Sequence, residues 1–131
     1  MQKNIINPWS WQKRHGFVQA NEISEANRVI FISGQTSVDD EGNIMYIGDM
    51  RNQLEQALNN LETVLAHAGM DLSNIVHLNI FATDLRALMQ EEDYFKERLM
   101  KSGCQHAGTL LGVTALAFTG LMVAIEATAA A

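Results

Sequence analysis

Cysteine and proline are nearly missing from this chain, which has one of each, Cys104 and Pro8. A lone thiol excludes an internal disulfide, so the fold must rest on burial, and it suits a reducing compartment such as the cytoplasm. With no repeat, no low-complexity stretch and no proline-rich linker, residues 1–131 read as one domain. Positive charge is scarce as well: 9 Lys and Arg against 15 Asp and Glu give a formal charge of −6. Such a chain repels phosphate, and only Lys13, Arg14 and His15 cluster against that field, so no nucleic-acid partner is expected. There is no HExxH or paired-cysteine motif for zinc. Asp39, Asp40 and Glu41 lack the alternating spacing of a calcium loop, so no metal is expected.

Long apolar runs are also few. Met1 to His15 has none, and so does not read as a secretory signal. The exception is Ala107 to Ile125, which carries no charge and holds Gly108 and Gly112 at the spacing of a membrane-helix dimer motif. As a helix it would span about 28 Å, close to a hydrocarbon core. Its three glycines and three threonines dilute the apolar character, however, and Glu126 follows at once. The run reads instead as two strands, Ala107 to Ala115 and Leu121 to Thr128, joined by a turn at Phe118-Thr119-Gly120. No membrane partner is expected.

What is present is a hydrophobic content of 47% against 18% charged residues, enough for a core. A strand is expected near Phe17 to Ala20 and a buried one over Arg28 to Ser33. Asp39 to Asn43 reads as a hairpin turn before a strand at Ile44-Met45-Tyr46. Asp49 is placed to cap a helix whose apolar stripe runs through Met50, Leu54, Ala57, Leu58, Leu61, Val64, Leu65 and Ala68 and stops at Gly69. From Asn74 to Thr83 the period switches to two, with Val76, Leu78, Ile80 and Ala82 on one face and Ile75, His77, Asn79 and Phe81 on the other. Asp84 to Lys101 reads as one further amphipathic helix. The order implies an α+β layer with two helices on one face of a mixed sheet. The opposite face, with Ile75, Phe81, Leu110, Met122 and Ala124, is too apolar to leave in water, which points to burial against other copies in a closed ring.

Several motifs in this order resemble the Rid family of reactive-intermediate deaminases, also called the YjgF family. They are Gly16-Phe17-Val18-Gln19, Ile32-Ser33-Gly34-Gln35, the helix opening at Asp49, Gly69 to Val76, Phe81-Ala82-Thr83-Asp84-Leu85, and Ile125-Glu126-Ala127. The resemblance implies a chorismate-mutase-like α+β subunit assembled as a homotrimer, with small-molecule sites in the clefts between subunits. It also implies hydrolysis of imines or enamines to a carbonyl compound and ammonia, without metal or organic cofactor.

Carried over residue by residue, the resemblance puts the deaminases' carboxylate-binding Arg at Gly108, their Cys at Leu110, their Tyr at Phe17 and their water-positioning Glu at Ala124. Ser33, Gly34 and Glu126 match. The expected ligand site is therefore Phe17, Ser33, Gly34, His106, Gly108, Thr109, Leu110 and Ala124, with Glu126 and Ser33 the candidate catalytic groups. Without the guanidinium, an acidic ligand needs another cation, for which Arg14, His15 and His106 are the candidates. Simple 2-iminoacids should then be poor substrates; with Gly108 freeing space and Phe17, Leu110 and Ala124 making that space less polar, a bulkier, more apolar ligand should be preferred. Gly108→Arg together with Ala124→Glu is expected to restore activity on iminopyruvate. The alternative is a trimer that binds a metabolite in the same cleft without turnover. His106 reads either as a general acid or base or as a solvated loop residue. Cys104 lies two positions before it with no orienting acid in view. Glu126 reads equally as a holder of water or as a partner for a neighbouring chain's basic group. Trp9 and Trp11 read as packing anchors, and His77 and Asn79 as hydrogen-bonded fillers.

Overall fold

The computed structural model describes residues 1–131. The chain forms β1 (Gln2–Ile6), a 3-10 turn (Trp11–His15), β2 (Ala20–Ser24), β3 (Val29–Thr36), α1 (Met50–His67), β4 (Ile75–Ala82), α2 (Leu85–Met89), α3 (Glu92–Lys101), β5 (Leu110–Gly112) and β6 (Val123–Ala130). A four-stranded sheet has the order β3-β6-β4-β5, with β5 parallel to β4 and the other pairs antiparallel, while β1 and β2 form a separate hairpin. This is the expected mixed sheet with helices on one face.

Helix α1 begins where Asp49 accepts a bond from the Asn52 amide, and Gly69, at φ +71°, turns the chain out of it. Met50, Leu54, Ala57, Leu58, Leu61 and Leu65 are buried, whereas Val64 at the edge of the stripe is exposed. Gln53, a polar residue on that stripe, is also fully buried. Its amide nitrogen donates to the Gly120 carbonyl at 2.8 Å and its oxygen accepts from the Met122 amide at 2.8 Å. The side chain thus ties α1 to the segment that leads into β6.

Four expectations are corrected by this topology. First, β5 and β6 are not a hairpin through Phe118-Thr119-Gly120, because β4 lies between them. The chain must cross the end of β4, and it is held there by Val113 N–H to Ala82 O at 2.8 Å and Thr83 N–H to Met122 O at 3.0 Å. Second, Ile44-Met45-Tyr46 forms only an isolated bridge, Val38 with Ile44, and the additional strand is the N-terminal β1. Third, the helix expected over Asp84 to Lys101 breaks at Gln90–Glu91. Arg51 of α1 holds Glu91 at 3.2 Å, and Glu92 and Asp93 open a new first turn, where acidic groups suit the helix dipole. Fourth, a register shift between Ile75 and His77 turns Ile75 into the core, where it is fully buried.

Residues paired across the sheet share a face. Ile80, Leu110 and Ile125 therefore lie on the helix side, while Phe81, Leu111 and Ala124 lie on the open side. Leu110 thus leaves the open face on which the sequence pattern placed it. Phe31, paired with Thr128, joins that face and is 84% exposed. No helix is long and apolar enough to cross a membrane, and the uncharged Ala107 to Ile125 run is mostly strand and loop.

Candidate functional site

The expected site residues fall into two groups on opposite sides of the sheet. Phe17, His106, Gly108, Thr109 and Leu110 line a cavity of about 320 Å³ between the N-terminal segment, β4, β5 and α3. That volume is at the small end of ligand pockets. Ser33 and Glu126 instead border a shallower depression on the open face, together with Phe31, His77 and Thr128. Gly34 lies beside Ala124 on that same side. A register shift in β3 at Ser33-Gly34 lifts both residues out of the ladder.

Asn79 joins the two groups. Its amide donates to Glu126 at 3.0 Å, and its oxygen accepts the Thr109 N–H at 2.9 Å. Asn79 is hydrogen-bonded as expected, whereas His77, expected to behave alike, is exposed. The Thr109 amide, a natural candidate to orient a ligand, is therefore already committed to the protein.

The floor and walls of the cavity are apolar: Leu78 and Ile80 from β4, Met89 from the end of α2, and Phe95 from α3. Two further polar groups open onto it. His15 Nδ1 lies 2.8 Å from Glu92 Oε1, and Arg14 Nε donates to His15 Nε2 at 3.3 Å. The two contacts hold the His15 ring between the Arg14 guanidinium and the Glu92 carboxylate. Trp11 stands edge-on to Phe17 at 5.8 Å beside this chain of contacts. Both Trp9 and Trp11 remain more than half exposed, which makes Trp9 no packing anchor within one chain.

His106 is not a solvated loop residue. It is half-buried, and desolvation, reinforced by the positive fields of His77 and Lys3, pushes its pKa down to about 4. At neutral pH it is an uncharged imidazole lining the cavity. Its Nδ1 lies 3.8 Å from Cys104 Sγ, but burial pushes that thiol up to about 12, so the two do not form a thiolate–imidazolium nucleophile. Of the candidate cations, Arg14 does not line the cavity, whereas His15 and His106 do. Arg14 is turned to His15, His15 is turned to Glu92, and His106 is neutral.

Gly108 leaves no room to restore the arginine. A Cβ built there would overlap the Leu78 carbonyl oxygen and lie 2.7 Å from its carbon, because the strand segment rests directly on β4. The missing side chain is replaced by backbone, so Gly108 creates no vacant space, contrary to the expectation from sequence. Glu92 was not legible as a site residue. It precedes no motif and reaches the cavity only because the helix breaks just before it.

A family model described as Endoribonuclease L-PSP matches residues 11–131. Protein DfrA of Myxococcus xanthus is 39% identical over 69 residues, covering 53% of this chain and 52% of DfrA. The 2-iminobutanoate/2-iminopropanoate deaminase of Bos taurus is 29% identical over 76 residues, covering 58% of this chain and 56% of the bovine protein. The chain thus spans about half the length of these curated relatives in the matched regions. A Yersinia pestis structure described as YyfB, a protein of unknown function of the conserved Rid family, matches with a TM-score of 0.89 and 28% identity over 100% of both chains. The motifs read from the sequence, the mixed sheet with its helices on one face, and a family match running from Trp11 to the last residue agree: this chain belongs to the Rid (YjgF) family.

Proposed function

We propose that the protein is a cofactor-independent imine or enamine hydrolase, releasing ammonia from small apolar substrates in the cytoplasm. The observation that carries this reading is the cavity at Phe17, Gly108 and Leu110, whose polar lining is one carboxylate, two histidines and Thr109 among apolar walls. The bovine relative named as a 2-iminobutanoate/2-iminopropanoate deaminase supports the reaction class. Here no Arg or Lys lines the cavity to anchor a carboxylate, so simple 2-iminoacids are poor substrates and imines lacking that group are better ones.

In this reading the working form is a homotrimer. The exposed Phe31 and the neighbouring Phe81 and Ala124 form a face that repetition of the chain would bury. A neighbour seated there would bring Ser33, Gly34 and Glu126 of one subunit toward the cavity edge of the next. Glu126, already oriented by Asn79, would position water, and Ser33, whose hydroxyl has no partner in the chain, would bind the ligand. An RNA substrate is disfavoured by the formal charge of −6.

The second reading, a non-catalytic metabolite-binding trimer, is favoured by one observation: the Thr109 amide is taken by Asn79 and cannot serve a ligand. Ammonia release decides between them. Imines are generated in situ by an oxidase acting on alanine, which gives iminopyruvate, and on phenethylamine, which gives an imine with no carboxylate. Faster ammonia release from the second imine than from the first supports the hydrolase, and no acceleration of either over buffer refutes it.

A further inference from the structure

Within the cavity, Glu92 is held in an unusual way. One carboxylate oxygen, Oε1, accepts from His15 at 2.8 Å, and the other makes no hydrogen bond to the chain. Neither Lys96 nor Arg14 makes an ion pair with Glu92: Lys96 Nζ donates to the Arg14 carbonyl at 2.9 Å and lies 3.7 Å from Asp93, while Arg14 Nε donates to His15. His15 thus fixes one carboxylate oxygen of Glu92 and leaves the other, Oε2, open toward the cavity. Around it lie Met89, Phe95, Leu78 and Ile80, with no other acid; the remaining polar lining is His106 and Thr109.

We propose that this cavity is a recognition site for a small organic cation, a protonated nitrogen on an apolar body, with Glu92 Oε2 accepting the N–H and His15 acting as a positioning residue for Glu92. This names the substrate class of the hydrolase reading, on which it rests. A protonated imine carries its charge on the nitrogen to be released, and the corresponding amine mimics it. The apolar body would lie against Phe95, Met89 and Leu110, where burial favours it. The same carboxylate repels an anionic ligand. A charge-assisted bond of this kind, lost on neutralising the acceptor, corresponds to roughly tenfold or more in affinity.

Three probes with the same ring separate charge from shape: benzylammonium, benzyl alcohol and benzoate, titrated calorimetrically into the intact protein. Benzylammonium is expected to bind at least tenfold more tightly than benzyl alcohol, and benzoate not at all. Glu92→Gln should remove the advantage of benzylammonium over benzyl alcohol while leaving the alcohol unchanged, and His15→Gln should reduce it. A methyl-labelled methionine spectrum gives a test that needs no variant, since benzylammonium should shift Met89 and leave Met1 and Met45 in place. Benzoate binding as tightly as benzylammonium, an unchanged preference in Glu92→Gln, or an unmoved Met89 would overturn the assignment. Benzylammonium binding without ammonia release from any imine would uphold this site and refute the hydrolase reading. Ammonia release from imines with no preference for the cationic probe would do the opposite.

Discussion

Gly108→Ala tests the close approach of the 107–109 segment to β4, on which the shape of the cavity depends. The added Cβ would overlap the Leu78 carbonyl oxygen and lie 2.7 Å from its carbon and 3.2 Å from its nitrogen. Those are backbone atoms of a buried central strand and cannot rotate away, so the 107–109 segment must lift. Three hydrogen bonds flank the contact: Leu78 N–H to Ala107 O at 2.9 Å, Ile80 N–H to Thr109 O at 3.0 Å, and Thr109 N–H to Asn79 Oδ1 at 2.9 Å. At about 0.5 to 1.5 kcal/mol net for each bond, losing them costs about 2 to 4 kcal/mol. That is a large part of the roughly 5 to 15 kcal/mol by which such domains are stable. For a chain of this length it lowers Tm by roughly 6 to 15 °C. Gly112→Ala is the matched control, because its Cβ would meet Leu85 Cβ at 3.5 Å, an ordinary contact, and its Tm should stay within about 2 °C of wild type. Thermal unfolding followed by circular dichroism reads both. A Gly108→Ala protein that melts with the wild type would refute the reasoning and reopen position 108 to a side chain. If the reasoning holds, Gly108→Arg unfolds this edge rather than restoring a carboxylate clamp.

Three other outcomes are expected. Light scattering should show a trimer at micromolar concentration, and Phe81→Asp should dissociate it by burying like charges around one axis; a stable wild-type monomer would end that model. His106, lowered from 6.5 to about 4 in the folded chain, is bound by more protons in the unfolded state between those values. Its contribution, roughly 3 kcal/mol, is therefore present above pH 6.5 and lost as pH falls toward 4. Tm should drop more steeply across that window in wild type than in His106→Gln, and parallel pH curves would contradict the buried, neutral assignment. Gln12 is fully buried with neither amide atom hydrogen-bonded, so Gln12→Leu should stabilise the protein by about 1 to 2 kcal/mol in urea unfolding; a loss of stability would mean that the amide has partners in the assembly.

Sequence alone determined whatever depends on local periodicity and end signals. The Met50–His67 helix follows from its apolar stripe between Asp49 and Gly69, and the Ile75–Ala82 strand from alternation of side chains. The family was also legible, because several short motifs keep their order and spacing along the chain. Tertiary structure decided what depends on which strands are neighbours. Residues 107–115 and 121–128 look alike as adjacent apolar strands, yet β4 separates β5 from β6, a choice of neighbour that side-chain alternation does not encode. Ile75 changes face through a one-residue shift that no period of two encodes. The site divided in the same way. Phe17, His106 and Leu110 were named from the chain, whereas Glu92 became a cavity residue only because the helix breaks before it and His15, 77 positions earlier, folds against it. Local sequence specifies the repeat of a helix or strand; the meeting of two distant polar groups is set by how those elements close on one another.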